Sequence, residues 1–390
     1  MSEAVACANA PKKRLALFLD GTWNVVGTNT NVWRLRCLCA DKSTDGATQL
    51  GYYDQGVNGV AGGAWAKGLS ENICEAYDWI LDNYEDGDEI FIFGFSRGAF
   101  TARSLAGLIT ILGLLKPGGP LGVNQLYDRY RRESSDRSIY KLAEEAGALA
   151  GEDSWILKYS RETNIKMIGV WDTVGAIGIP TPLLSIPGIS SSAFGFHHTG
   201  MRQPIQNAFH AVAIDEHRPK FAPTLWTVRT PPDEPPKPMR PFTSLEQRWF
   251  VGAHANVGGG CYDDLLAQIP LRWIMRKAAS FGLTFREEIV LEGDEVLNTI
   301  YPSYEKFLKG TYRLVFNRSY RSIGGAPEEK GDGTHTNINE AIDASVFDRW
   351  RRNATYRPPN LASWAEQHGI DPASLNCSVA ATDPSKTIPD

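Results

Sequence analysis

Short uninterrupted apolar runs alternate along this chain with stretches in which apolar positions return every three or four residues. Residues 15–19 (Leu-Ala-Leu-Phe-Leu) and 90–93 (Ile-Phe-Ile-Phe) are continuous runs, the pattern of strands covered on both faces, and residues 165–171 read as another buried strand. Residues 48–54 and 248–252 read as two more strands. Between them, Ile73, Ala76, Tyr77, Ile80, Leu81 and Tyr84 recur at helical spacing, with Ser70 as N-cap and Glu85-Asp-Gly-Asp as the stop. The pattern predicts further helices over 97–115 and 204–216, a polar helical stretch over 127–160, and mainly helix from Leu265 onward.

Strands alternating with helices predict an α/β fold: a mostly parallel central sheet with helices on both faces and a C-terminal helical extension. The expected organisation is a flexible N-terminus at 1–13 and a catalytic core at 14–280 with insertions at 117–160 and 179–200. A mainly helical extension at 281–375, packed on the core, and a flexible tail at 376–390 complete it.

Charge and cysteine content narrow the partners. Forty Lys+Arg against 45 Asp+Glu leave a net charge of −5, without the basic footprint of a nucleic-acid binder or a long-range pull toward an anionic membrane. Six cysteines in 390 residues are too sparse for a disulfide scaffold and read as reduced thiols. The first 14 residues lack the apolar core of a signal peptide, and the most apolar run, 105–115, is too short to cross a bilayer. The expected location is cytoplasmic, with export left to a dedicated secretion machine.

The strongest chemical signal is Gly94-Phe-Ser-Arg-Gly, which follows one apolar run directly and opens a helix. Strand, Gly-x-Ser-x-Gly and helix together make a nucleophile elbow, in which the serine sits on a sharp turn with its hydroxyl above the sheet. Ser96 is the expected nucleophile, and the amide of Arg97 an oxyanion donor at the helix N-terminus. A serine hydroxyl needs a base, and His254, after the last strand and before three glycines, is the candidate. Asp172, closing the strand at 165–171, is the candidate acid, with Asp215 as the alternative. The order serine, acid, histidine is that of an α/β-hydrolase.

The turn at Gly21 and Thr22 is expected to add a second oxyanion donor, with Asp20 bonding the loop amides. The Pro/Gly/Ser-rich loop at 179–200 carries Leu183, Leu184, Ile186, Phe194 and Phe196, an acyl-chain surface if it lies over the site. The chemistry requires no metal and no organic cofactor. Two other readings stay open: a metal-dependent phosphatase using Asp20, and a hydrolase-like fold kept for binding alone.

Several segments together resemble a known family. These are residues 18–24 (Phe-Leu-Asp-Gly-Thr-Trp-Asn), 94–99 (Gly-Phe-Ser-Arg-Gly-Ala), 170–175 (Val-Trp-Asp-Thr-Val-Gly) and 252–260 (Gly-Ala-His-Ala-Asn-Val-Gly-Gly-Gly). Residues 210–216 (His-Ala-Val-Ala-Ile-Asp-Glu) and 356–361 (Tyr-Arg-Pro-Pro-Asn-Leu) fit the same pattern. The chain resembles the α/β-hydrolase family that includes the type VI secretion phospholipase effectors. The resemblance implies a serine esterase or lipase acting on an ester or lipid, with transient membrane contact and Ser96, Asp172 and His254 as its catalytic residues. Asn256 stands where the effectors commonly have aspartate, and Cys261 where they commonly have tyrosine. The membrane-docking additions of the effectors have no counterpart here in the form of a strongly amphipathic basic helix.

Overall fold

The computed structural model describes residues 12–21, 26–56, 62–132, 138–145, 147, 149–174, 204–236, 238–261 and 264–389, with backbone alone at 26 and 62–67. Eight strands form the central sheet: β1 Arg14–Leu19, β2 Gln49–Asp54, β3 Glu89–Phe95, β4 Met167–Trp171, β5 Ala208–Ala213, β6 Leu245–Phe250, β7 Glu340–Ile342 and β8 Val379–Ala380. They lie in the order β8-β7-β6-β5-β4-β3-β1-β2. Every neighbouring pair is parallel except β7 with β8 at the edge.

The continuous apolar runs are explained by two-sided burial. Leu15, Leu17, Ile90 and Ile92 face a layer built by helices α2 (Gly62–Asn83) and α3 (Arg97–Leu112). Their neighbours Ala16, Phe18, Phe91 and Phe93 point the other way, into a layer with Val32 and Leu35 of α1 (Asn31–Leu38). Leu271, Ile274 and Met275 of the longer helix Gln268–Ser280 complete that second layer. Successive strand residues address opposite faces, so a strand with no polar positions needs a helix on each side. This is an α/β-hydrolase-like fold.

Beyond residue 280 the chain contributes β7 and β8 and the helices Ala344–Arg352 and Pro359–His368, whose Val346, Phe347, Leu361 and Trp364 pack against Trp249 and Ile342. In a separate three-stranded sheet the central strand Gly333–Asn337 pairs with Thr227–Thr230 on one side and Glu328–Lys330 on the other. The polar stretch at 127–160 forms three short helices, Val123–Arg132, Ile139–Glu144 and Gly151–Tyr159.

Three expectations are corrected. Residues 204–216 do not form a helix: Ala208–Ala213 is strand β5, buried at every position between β4 and β6. Six residues, apolar except for His210, carry no period that separates strand from helix, and their place in the sheet decides. Ser70 does not cap a helix, because α2 begins eight residues earlier. Helix α3 ends at Leu112 rather than 115, where Gly113 turns the chain with φ of +77° and a Cβ would lie 2.4 Å from the Arg161 carbonyl. Among the described residues no helix is long and apolar enough to cross a membrane.

Candidate active site

The parallel strands end on one edge of the sheet, and the loops leaving β1, β3, β4, β5 and β6 meet there. Ser96 follows β3 with φ 57° and ψ −119°, a conformation that costs a non-glycine residue about 1–3 kcal/mol. The turn holds because its backbone is anchored: the Ser96 amide donates to the Trp171 carbonyl of β4 at 3.0 Å. Its glycines are steric requirements. A Cβ at Gly94 would lie 2.5 Å from the Gly98 carbonyl oxygen, and one at Gly98 would lie 2.1 Å from the Leu19 carbonyl oxygen of β1. Arg97 opens α3, so its amide lies at the positive end of the helix dipole.

His254 begins the short helix α4 (His254–Gly258), just after β6. Its Nε2 is 2.8 Å from Ser96 Oγ and its Nδ1 is 2.6 Å from Asp172 Oδ2. An ionised carboxylate only accepts, so Nδ1 carries the ring proton and Nε2 is left to accept from the serine hydroxyl. Ser96 and His254 each keep 7% of their surface exposed, whereas Asp172 is fully buried. The imidazole lies between two rings, with Phe95 at 4.7 Å and Phe221 edge-on at 5.2 Å between centroids.

Asp172 closes β4 with φ of +37°. Oδ1 accepts from the Ala213 amide at 3.0 Å and from Arg321 Nη1 at 2.6 Å, and Oδ2 accepts from Arg321 Nη2 at 3.0 Å. Arg321 also donates to the carbonyls of Ala213 and Phe221. Burial alone would raise the Asp172 carboxyl, but the Arg321 charge and the His254 hydrogen bond outweigh it and hold it well below the ordinary range. Burial lowers the proton affinity of His254, with the bond to Asp172 pulling the other way.

A second layer of polar groups orients the first. The His254 amide donates to Glu216 at 3.3 Å, and Glu216 is forked by Arg218 through two 2.8 Å bonds. Burial raises the Glu216 carboxyl, and the Arg218 hydrogen bond and charge bring it down to about 2. His210, fully buried on β5, accepts from the Thr173 amide through Nε2 and lies 3.3 Å from Gln247 Oε1 through Nδ1. Burial pushes its proton affinity down to about 3, so it stays neutral while holding the backbone beside Asp172.

Of the sequence-predicted residues, the structure brings together Ser96, Asp172 and His254. It sets Asp215 elsewhere: its carboxylate accepts from the Gly252 amide at 2.7 Å and the Tyr356 hydroxyl at 3.2 Å, holding the turn ahead of His254. The Gly21 amide is not aimed at the serine, because it donates to the Asp20 carboxylate at 2.8 Å. Asp20 also accepts from Thr30 and Tyr53, which ties the β1 loop down as expected of a carboxylate there. Thr22, Leu183, Leu184, Ile186, Phe194 and Phe196 lie outside the described residues.

Asn256 has a local reason to be an amide: Oδ1 accepts from the Ala253 and Tyr301 amides, while Nδ2 donates to the Thr299 carbonyl. An aspartate at that position would lack the donor. Cys261 is partly buried, which raises its thiol to about 11 and keeps it protonated. Sequence reasoning missed Arg321, Glu216 and Phe221. None carries a motif or a periodic signal, and only Glu216, inside the segment at 210–216, stood near a recognised pattern.

Comparison with known proteins adds to this geometry. Residues 13–277 match the model of a family described as the type VI secretion phospholipase effector Tle1-like catalytic domain. The chain is 29% identical over 240 residues to uncharacterized protein YEL023C of Saccharomyces cerevisiae, which covers 55% of this chain and 33% of that protein. A crystal structure of an uncharacterized protein from Pseudomonas aeruginosa aligns over 78% of this chain and 51% of its own, with 14% identity and a TM-score of 0.44. A Tle1 effector solved bound to the VgrG spike of the type VI secretion system aligns over 65% and 52%, with 17% identity and a TM-score of 0.32. The chain thus spans about a third of the yeast relative and about half of each solved chain.

Proposed function

Because this chain belongs to the family of Tle1-like phospholipase effector catalytic domains, we propose that it is a serine hydrolase cleaving the acyl esters of lipids. The observation that carries the reading is the relay Ser96 Oγ, His254 Nε2, His254 Nδ1, Asp172 Oδ2, with links of 2.8 and 2.6 Å on one sheet edge. Ser96 attacks the ester carbonyl as His254 takes its proton. Asp172 holds the imidazole tautomer and offsets the positive charge that then forms. The Arg97 amide, at the N-terminus of α3, stabilises the oxyanion, and a donor of this kind contributes about 100- to 1,000-fold to kcat. His254 returns the proton to the leaving alcohol, then activates water to release the acyl group from Ser96.

The core at 14–280 is proposed as the catalytic unit, completed by Arg321 from the region packed against it. The position of Asp20 supports ester cleavage over phosphoryl transfer, since its carboxylate is occupied by Gly21, Thr30 and Tyr53. A fluorophosphonate probe should label the wild type at Ser96 and leave Ser96→Ala unlabelled. Lipid extracts incubated with the two proteins should release fatty acid only with the wild type. Equal release by both would end the proposal.

A further inference from the structure

Exposed apolar surface is unevenly distributed. Five of the ten large exposed apolar side chains among the described residues, Tyr301, Leu308, Leu314, Val315 and Tyr320, fall within twenty positions. The same stretch is basic. Residues 303–320 carry Lys306, Lys309, Arg313 and Arg318 against Glu305 alone, which is 4 − 1 = +3 on a chain whose total is −5. The overall charge therefore conceals a local patch of the opposite sign.

The segment folds as short turns, Ser303–Lys306, Phe307–Gly310 and Tyr312–Leu314, rather than as one helix. Its inner side is aromatic: Tyr312 contacts the rings of Phe307 and Phe316 at 5.3 and 4.7 Å, and Phe307 meets Phe221 at 5.5 Å. Phe221 is the ring placed edge-on to His254. The outer side is apolar and cationic. Leu308 and Lys309 are consecutive non-glycine residues in the left-handed region, at φ 50° and 56°, a strained turn that the aromatic base holds in place. Leu308, Leu314 and Val315 are 61%, 79% and 76% exposed, and Lys309 and Arg313 have no ion-pair partner among the described residues.

We propose that residues 303–320 seat the protein on an anionic phospholipid bilayer, with Leu308, Leu314 and Val315 entering the interface and Lys309 and Arg313 meeting the headgroups. The purpose of this docking rests on the ester-hydrolase reading, but the docking itself does not. Apolar tips between cations are the composition of an interfacial membrane anchor. A protein partner fits less well, because charged residues are depleted at the cores of protein interfaces and here Lys309 and Arg313 adjoin the apolar tips. The aromatic base gives the patch a rigid link to the histidine, so a seated protein presents its ester site beside the lipid.

The test uses the full chain carrying Ser96→Ala, so that no lipid is consumed, sedimented with phosphatidylcholine vesicles and with vesicles also containing phosphatidylglycerol. Binding should favour the anionic vesicles. A lysine or arginine at such a surface is worth about fivefold, so Lys309→Gln with Arg313→Gln should weaken that binding about 25-fold. Leu308→Ser with Leu314→Ser should weaken binding to both vesicle types at least about tenfold, by loss of buried methylene groups. Thermal unfolding of each variant separates lost docking from lost fold, and Arg313→Gln alone, at an exposed site, preserves the comparison if the leucine pair misfolds. Variants that sediment like the parent, no preference for phosphatidylglycerol, or no binding to either vesicle would overturn the proposal, the last pointing to a protein partner. If vesicles are bound as described but no ester is ever cleaved, the functional reading fails and the docking surface stands.

Discussion

Arg321 grips both carboxylate oxygens of Asp172 from 149 positions further along the chain, at 2.6 and 3.0 Å. Asp172 therefore answers to two partners, a fixed guanidinium and an imidazole that, in the proposed mechanism, becomes charged only as Ser96 gives up its proton. Each takes part of the same negative charge, so Arg321 restrains how strongly Asp172 draws a proton onto His254. Arg321 is on this reading a positioning residue, acting through Asp172.

Replacing Arg321 by Met should move the acid limb of kcat/KM to higher pH. Removing the positive charge leaves Asp172 freer to stabilise the imidazolium, so His254 holds its proton to a higher pH. Among the charged groups around His254, Glu216 and Asp172 also favour the imidazolium, while Arg218 opposes it. Stability should fall by about 3–5 kcal/mol, the cost of stranding a buried charge. Arg321→Lys should restore the limb in part. A variant that loses kcat without moving the limb would assign Arg321 a purely structural role.

The wild-type profile should itself be displaced. Burial lowers the proton affinity of His254, so the neutral base persists below the ordinary histidine value of about 6.5. Activity should be full above that pH and decline only as pH falls through the lower folded value. Stability follows the same sign, because the unfolded chain binds the proton more readily: it is complete at neutral pH and lost on acidification. Rates on a soluble short-chain ester between pH 5 and 8, at saturating and limiting substrate, test this.

Asp172→Asn and Asp215→Asn should part company. The first leaves His254 without an acceptor at Nδ1 and should lower kcat by about 10,000-fold. The second changes the acceptor for Gly252 and Tyr356, away from the ring, and should cost about tenfold or less, in keeping with a lost hydrogen bond of about 1.5 kcal/mol. Comparable losses in both would return Asp215 to contention.

Gly98→Ala should destabilise the protein by about 3 kcal/mol, because the new methyl meets the backbone oxygens of Leu19 and Asp20 at 2.1 and 2.5 Å, at the end of the buried strand β1. Gly122→Ala, where the nearest atom is 3.9 Å away, is the matched control and should be nearly neutral. Chemical denaturation of both variants reads the difference.

Ser96, Asp172 and His254 were legible because each follows an apolar run, and the elbow glycines mark a turn too tight for side chains. Arg321 was not, since an arginine in a polar stretch has no periodicity and its partner is chosen by the folded path. Strand β5 is not legible as a strand because its six residues are too few to reveal a period, and β7, three residues long, is shorter still. The basic apolar surface at 303–320 escaped notice for a related reason. It is made of turns, and a search for amphipathic helices looks for a repeat that such turns lack.

The order of the strands bears on how the molecule is made. After the first crossover, each new strand adds beside the one before it, from β3 through β8. A chain emerging from the ribosome can extend its sheet one edge at a time, with no insertion between strands already paired. Ser96, Asp172 and His254 are all synthesised before Arg321, so the guanidinium is the last of the four to arrive. The proposed nucleophile, acid and base thus all precede, in the order of synthesis, the guanidinium that clamps the acid.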